Sequence, residues 1–440
     1  MKNQNNESRR DFVINSGLIA GGLMTAPILS KANYFSGAED TIKVAVVGCG
    51  GRGTGAAMQA LSSKQNVKIV AMCDAFKDNL DNCHKELTEE INNSIGELAK
   101  RLDVPEERKF TGFDGYKKAI ALADVVILAT PPGFRPIHFE EAIAQGKHVF
   151  MEKPVATDPA GVQKVLATAA IAKQKKLNVV VGLQRHYQNS YRELFKRKDL
   201  IGDITSMQAW WDNDGVWTRP RKAGQTEMEY QMRNWYYFNW LCGDHITEQH
   251  IHNLDVINWF KGGYPVKAQG FGGRQVRTSK EHGEIFDHHF VEFEYADGSI
   301  LNSQCRHMPG TMSRVDELLI GTKGRIACGA AHIKNHSGKI IYQYDTKKEN
   351  NPYQTEHDEL FAAIAKGEYK FADAENGAKS TMTSILGRMA TYSGQMVYWD
   401  KAINSGIDIH PKVYAWDATP PVVPDAEGRY PIAIPGITKY

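Results

Sequence analysis

The chain reads as an α/β protein. An N-terminal Rossmann dinucleotide-binding domain is followed by a C-terminal α+β domain with a large, mostly antiparallel open sheet. Three observations predict this. Short β-branched runs alternate with helical periodicity up to about residue 186, a Gly-rich turn follows the first run, and later runs alternate polar and apolar residues.

The first run, Thr41 to Val47, meets the turn Gly48-Cys-Gly-Gly-Arg-Gly53. A second, 67–73, ends at Asp74; a third, 123–129, ends in Thr130-Pro131-Pro132. A fourth, 148–151, ends in Glu152-Lys153-Pro154, and 178–182 supplies one more strand. Segments such as 135–145 between them have helical spacing, so the strands are expected to lie parallel and covered on both faces. Further on, "HHFVEFEYADGSILNSQCR" alternates around an Ala-Asp-Gly turn, as an antiparallel hairpin does. Helical spacing returns over 374–399, and the Pro-rich stretch 419–435 reads as extended surface chain. The expected division is a nucleotide domain over 41–186, a substrate and oligomerisation domain over 187–375, and a C-terminal helix and tail over 376–440.

Charge and cysteine content exclude several classes. A formal net charge of +2 over 440 residues gives no field to gather nucleic acid or an anionic membrane. Six cysteines without a C-x-x-C pair form neither a disulfide framework nor a zinc ribbon. Residues 1–32 are more specific. Arg9-Arg10-Asp11-Phe12 precedes the apolar run "SGLIAGGLMTAPIL", the pattern of a twin-arginine export signal. The expected location is therefore the periplasm. The apolar run has about 14 residues, too few to span a bilayer, so no stable membrane anchor is expected.

The turn after the first strand suits a pyrophosphate. Gly48, Gly50, Gly51, Arg52 and Gly53 open a helix whose free N–H groups would face the phosphates, and absent Cβ atoms let the ligand approach. Asp74, about 20 residues on, would accept bonds from the ribose hydroxyls and repel a 2′-phosphate, which selects NAD as cofactor. Thr130 and Pro131, at the carboxyl end of their strand, should also face it.

At "GCGGRG…CD…ATPP…EKPVAT" the sequence resembles the glucose–fructose oxidoreductase / inositol dehydrogenase / MocA (Gfo/Idh/MocA) family, from about residue 42 to the end of the chain. The resemblance implies that Lys153 of Glu152-Lys153-Pro154 sits beside the nicotinamide and the reacting carbon. It also implies that the helix segment Glu248-Gln-His-Ile-His252-Asn-Leu-Asp255 carries the proton-transferring histidine, His252. Glu248 stands where the family has aspartate. "GDHITEQHIHNLD" with Trp235 upstream is similar to a secreted branch of the family. Gln184-Arg185-His186-Tyr187 matches a further family segment, which places Gln184 near the nicotinamide and Arg185 near the substrate; either could equally be a domain-interface residue. Pairing of subunits through the open sheet face is also implied.

These residues suit alcohol oxidation. A histidine base takes the hydroxyl proton and an ammonium stabilises the developing alkoxide. On a continuous helix, Asp244, His245, Glu248, His252, Asp255 and Trp259 share one side, with His250 turned away. The resemblance thus implies Lys153 and His252 as catalytic together with Glu248, which lies one turn before His252 and would orient its imidazole. Arg185, Trp235, Asp244 and His252 are the candidate substrate contacts. No metal is expected, because His250-x-His252 is split by a helix and no other ligand spacing appears. Asp287-His288-His289 reads as a cleft-lining or a solvated cluster. The aromatics Trp210-Trp211 and Trp235 to Trp240 read either as core or as platforms for a pyranose face.

The function these features predict is hydride transfer between a sugar or glycoside secondary hydroxyl, such as C3 of a pyranose, and NAD. A 3-keto product would prepare a glycoside for elimination by a partner enzyme. Two alternatives stand beside it. One is a glycosidase with tightly bound NAD that runs oxidation, elimination, addition and reduction in one site; the other is a non-catalytic sugar or nucleotide sensor.

Overall fold

The computed structural model describes residues 41–93 and 100–439; the export-signal segment lies outside them. Six strands form the first sheet: β1 (Ile42–Val47), β2 (Val67–Asp74), β3 (Lys109–Thr111), β4 (Val125–Leu128), β5 (His148–Met151) and β6 (Val179–Val181). Their order is β3-β2-β1-β4-β5-β6 and every pairing is parallel. The β-branched runs are buried almost throughout, as strands covered on both faces must be. The edge strand β3 escaped sequence reading because three residues carry no measurable period. Strand order reverses between β1 and β4, which opens a crevice at the carboxyl ends of the strands.

The second sheet has nine strands: β7 (Ile204–Asn213), β8 (Lys267–Gly273), β9 (His288–Glu294), β10 (Ile300–His307), β11 (Arg314–Gly321), β12 (Gly324–Ala327), β13 (His332–Asn335), β14 (Ile340–Gln343) and β15 (Val397–Tyr398). The order is β14-β13-β12-β11-β7-β10-β9-β8-β15. All neighbours are antiparallel except β7 and β10, so the sheet is mixed but mostly antiparallel. The expected hairpin is β9–β10, with Glu294 opposite Ile300. One face packs on helices Ile251–Lys261 and Ala374–Ser393, burying Val291, Phe293, Leu301 and Leu319 against Ile257, Ile385 and Leu386.

Two segments return to the nucleotide domain. Helix Pro352–Ala365, started by Pro352 and capped by the Asn351 side chain, packs on helix Gly51–Leu61. Leu360, Phe361, Ile364 and Phe371 join the core of the first sheet. Residues 371–373 then pair with Val179 at its edge, through Val179 N to Phe371 O at 3.0 Å and Asp373 N to Val179 O at 3.0 Å. The division at 375 read from sequence therefore falls after the chain has already recrossed to the first domain. The tail recrosses too, with Tyr414 and Trp416 packed on Phe134, Phe113 and Phe76. Among the described residues, no helix is long and apolar enough to cross a membrane.

Candidate active site

A cavity of about 970 Å³ runs along the carboxyl ends of the first sheet and under the second domain. Gly48, Gly50, Gly51, Arg52, Asp74, Thr130, Pro131, Glu152 and Lys153 line it on one side, and Trp211, Trp235, Glu248, Gln249 and His252 on the other. The Gly-rich turn is built for close approach. Gly48 has φ +96°, and a Cβ there would lie 2.5 Å from Thr130 N. At Gly50 and Gly51 a Cβ would meet nothing within 4 Å, so the backbone faces open cavity. A pyrophosphate fits this cradle, against the first N–H groups of helix Gly51–Leu61. Gly53 does not line the cavity. Its Cβ would fall 1.8 Å from Gly48 O, so its role is close packing of helix on strand.

Asp74 both lines the cavity and braces the turn, accepting from Cys49 N at 2.7 Å and Phe76 N at 2.8 Å. Burial raises its pKa, while those two backbone bonds favour the charged form. Arg52 is held by Glu152 at 2.5 Å and by Gln59 at 3.1 Å, which ties the helix start to the end of β5. Sequence reasoning missed Arg135 and His138, which also line the cavity. Arg135 is buried and donates to Thr130 O at 2.6 Å; burial draws its pKa down to about 10 and that of His138 to about 3. Nothing in the sequence separates this arginine from a surface one; only its place under Phe134 does.

The segment Gly243 to Asp255 departs from the expected continuous helix. Gly243, at φ +79°, ends one short helix, and Asp244 adopts a positive φ of +70°, strained for a residue with a Cβ. One turn follows, His245–Glu248, and the longer helix starts at Ile251. At the break His250 N bonds His245 O at 3.1 Å, five residues back, and His252 N bonds Gln249 O at 3.3 Å. The carbonyl of Glu248 therefore lacks its helical donor. Lys153 Nζ takes that place, donating to Glu248 O at 2.7 Å and to Glu248 Oε1 at 3.0 Å. The expectation that Glu248 orients His252 is corrected: its partner is Lys153, from the other domain.

His252 is buried to 6% exposure and lies against the Trp211 ring, with centroids 5.8 Å apart. Burial, then the charges of Lys153, Arg185 and Arg52, hold it well below the ordinary histidine range. It is thus neutral at neutral pH and able to accept a proton. His250 points away, as expected, into a contact between its Nε2 and Ser303 Oγ at 2.6 Å.

Besides Gly53, three predicted contacts are not brought to the cavity. Gln184 does not line it. Arg185 is buried in an ion pair with Glu317, which also accepts from Asn253 at 2.7 Å and Tyr191 at 3.0 Å. Through Glu317 the Arg185 guanidinium helps anchor the His252 helix to β11. Asp244 is fully buried and accepts from Phe286 N at 3.0 Å and the Tyr392 hydroxyl at 2.5 Å. Burial pushes its carboxyl up, but His289 and His245 beside it bring it well below the usual range. Residue type alone could not distinguish these braces from ligand contacts.

In the Asp287-His288-His289 cluster, Asp287 and His289 are buried away from cleft and solvent, while His288 stays partly exposed. Asp287 is buried and accepts three backbone N–H bonds from residues 275–277, and His289 is buried beside Asp244. Two groups among the described residues gather three potential metal ligands: Asp244, His245 and His289, and Asp158, Asp408 and His410. In both the buried carboxylate is already engaged. Asp158 accepts from Gly161 N at 2.7 Å and Ile409 N at 2.8 Å, which braces the start of its helix.

Fold and site together define a two-domain protein with a dinucleotide cleft closed by a second sheet. Residues 42–183 match the family described as the oxidoreductase family with NAD-binding Rossmann fold, Gfo/Idh/MocA. The match lies within the first domain and gives that domain the family's NAD-binding fold. An inositol 2-dehydrogenase of Gluconacetobacter diazotrophicus is 28% identical over 244 residues, 54% of this chain and 60% of that protein. The chain thus spans about 60% of the length of that curated relative. Among solved structures, scyllo-inositol dehydrogenase from Lactobacillus casei with bound NAD(H) and scyllo-inositol is similar, with a TM-score of 0.61 and 21% identity. That match covers 82% of this chain and 100% of the other. A levoglucosan dehydrogenase in complex with NADH and levoglucosan has a TM-score of 0.61 at 14% identity, covering 82% of this chain and 99% of the other. At such identities the likeness is one of fold.

Proposed function

We propose that the protein is an NAD-dependent dehydrogenase that oxidises a secondary hydroxyl of a sugar or glycoside, with C3 of a pyranose as the position oxidised. One observation carries this reading: Lys153 and Glu248 meet across the two domains beside neutral His252, in the same cavity as the Gly-rich turn. The bound cofactor would supply a hydride acceptor. Gly50, Gly51 and the helix start would hold its phosphates, and Asp74 would hold the ribose. His252 takes the proton of the substrate hydroxyl. Lys153, fixed by the Glu248 carbonyl and carboxylate, stabilises the negative charge developing on that oxygen. Trp211 supports the imidazole ring and closes one wall against water.

The named carbohydrate dehydrogenases among the relatives support the substrate class, and the twin-arginine pattern supports export to the periplasm. A homo-oligomer and a partner enzyme acting on the keto product complete the proposal. The test incubates purified protein and NAD with methyl glycosides and free sugars, following NADH absorbance and the sugar product. Accumulating NADH with a keto sugar is expected. Free reducing sugar without net NADH would instead establish the one-site glycosidase. His252→Asn should lower kcat by about 10²- to 10⁴-fold with NAD affinity retained; an unchanged kcat removes His252 as the base.

A further inference from the structure

Beyond the reaction centre the cavity continues along a wall that sequence reading treated as either core or platform. Tyr236 lies buried at its base, its phenol pushed well up by burial and the adjacent Glu248 carboxylate. Trp235 packs on Tyr236 with centroids 5.4 Å apart. Trp217 stands edge-on to both, 6.0 Å from Trp235 and 6.4 Å from Tyr236. Trp217 and Trp235 both line the cavity, and Trp217 keeps 40% of its surface exposed. A large aromatic left open inside a cavity is a surface awaiting a partner.

The Arg219 guanidinium lies 4.9 Å from the centre of the Trp217 ring and also lines the cavity. Arg221 and Arg233 nearby are engaged, with Glu227 and Asp78, while Lys222 also lines the cavity. Among the described residues Arg219 makes no ion pair. The loop that carries both side chains is firmly held. Val216 O accepts from the Tyr237 hydroxyl at 3.0 Å and from Arg277 at 2.8 Å, and Arg219 N donates to Asn234 Oδ1 at 2.8 Å. Bound NAD would have its phosphates at Gly50 and Gly51 and its ribose at Asp74, which would leave this cation to another ligand.

We infer that Trp217, Trp235 and Arg219 form an outer subsite. It takes a second, glycosidically linked unit carrying a carboxylate or sulfate, while the ring to be oxidised sits at Lys153 and His252. The inference rests on the proposed dehydrogenase reading for the placement of that first ring. A pyranose presents an apolar C–H face that stacks on indole, and a guanidinium lying over Trp217 offers paired N–H donors to a planar or tripodal anion. Together they would make the enzyme one for acidic glycosides rather than free neutral sugars.

Three disaccharides, identical except for glucose, glucuronic acid or 6-sulfoglucose as the outer unit, are titrated into NAD-loaded protein by calorimetry, and their turnover is measured in parallel. An anionic outer unit is expected to tighten binding about 10- to 100-fold over glucose, the worth of a charge-assisted bond. The carboxylate and sulfate arms show which anion is preferred. In Arg219→Ala that ratio should fall to about one, with NAD affinity within about twofold of wild type. Wild type indifferent to the anion, a ratio that survives Arg219→Ala, or NAD affinity falling as far as the ratio would each overturn the subsite. Calorimetry keeps this separate from the catalytic reading. Anion-dependent binding without NADH production sinks the dehydrogenase alone, and NADH production without anion preference sinks the subsite alone.

Discussion

The pairing of Lys153 with Glu248 can be separated into its structural and chemical parts. Their charged atoms lie 3.0 Å apart, with side chains 13% and 14% exposed. At an effective dielectric of about 20 that separation corresponds to roughly 5 kcal/mol of gross attraction. Desolvation offsets most of it, leaving a net coupling of about 1.5–3 kcal/mol for a charge-assisted bond. Lys153→Met should therefore lower unfolding stability by about that amount, because Glu248 is left as a poorly hydrated, unpaired carboxylate. Glu248→Gln should do the same to the lysine, softened by the Glu248 carbonyl, which still accepts from Nζ. The double variant should be nearly as stable as either single one. Turnover should behave differently. Lys153→Met loses about 10²- to 10³-fold in kcat, the usual cost of removing a donor from a developing oxyanion, and the double variant does not regain it. Denaturant unfolding and NADH production measure the two sides of the cycle. Additive stability losses would show that the two residues are not coupled, and recovered turnover in the double variant would refute the role given to Lys153.

Four further expectations follow from the same geometry. Gly50→Val should fold normally, since its side chain enters open cavity, yet abolish NAD binding in a fluorescence titration. Gly53→Ala should instead fail by stability, because its Cβ falls 1.8 Å from Gly48 O. Arg185→Ala should destabilise the protein by about 3–5 kcal/mol, the cost of stranding buried Glu317; a raised KM at unchanged stability would restore Arg185 as a substrate contact. His138, His250 and His357 are buried, and burial lowers each to about 3. Between that value and the unfolded value of about 6.5 the unfolded chain binds more protons than the native one. Stability should accordingly be highest above about pH 6.5 and fall as pH drops toward 4, by about 1.4 kcal/mol per pH unit for each such histidine. A melting temperature flat over that window would contradict their burial as neutral groups.

The first sheet was legible because each of its longer strands is a buried β-branched run ending in a chemically distinctive residue: Gly48, Asp74, Thr130 or Glu152. Each of those positions lines the cavity, because residues at the carboxyl ends of parallel strands share one crevice whatever the loops do. His252 and Glu248 were equally readable as residues. Their relation was not, because helical periodicity assumes an unbroken helix. The left-handed pair Gly243 and Asp244 and the widened turn at His250 change which atoms face the cavity.

Arg185 and Asp244 show the same limit from the other side. A charged residue next to a reaction centre looks alike in sequence whether it faces a ligand or a buried partner. Glu317 lies 132 residues from Arg185 and Tyr392 lies 148 from Asp244, so no local pattern reports either contact.

By itself, then, the sequence determined a Rossmann domain with a cradle for NAD, a second mostly antiparallel sheet, and a lysine and histidine suited to hydride-transfer chemistry. Local rules govern those features: strand burial, glycine conformation and the proton affinity of imidazole. Tertiary structure alone decided that Lys153 is held by a carbonyl freed at a helix break, that His252 is kept neutral by burial and surrounding cations, and that Arg219, without an ion pair among the described residues, stands beside an open tryptophan. Each of those depends on atoms brought together from distant segments, and electrostatics and packing act through space rather than along the chain.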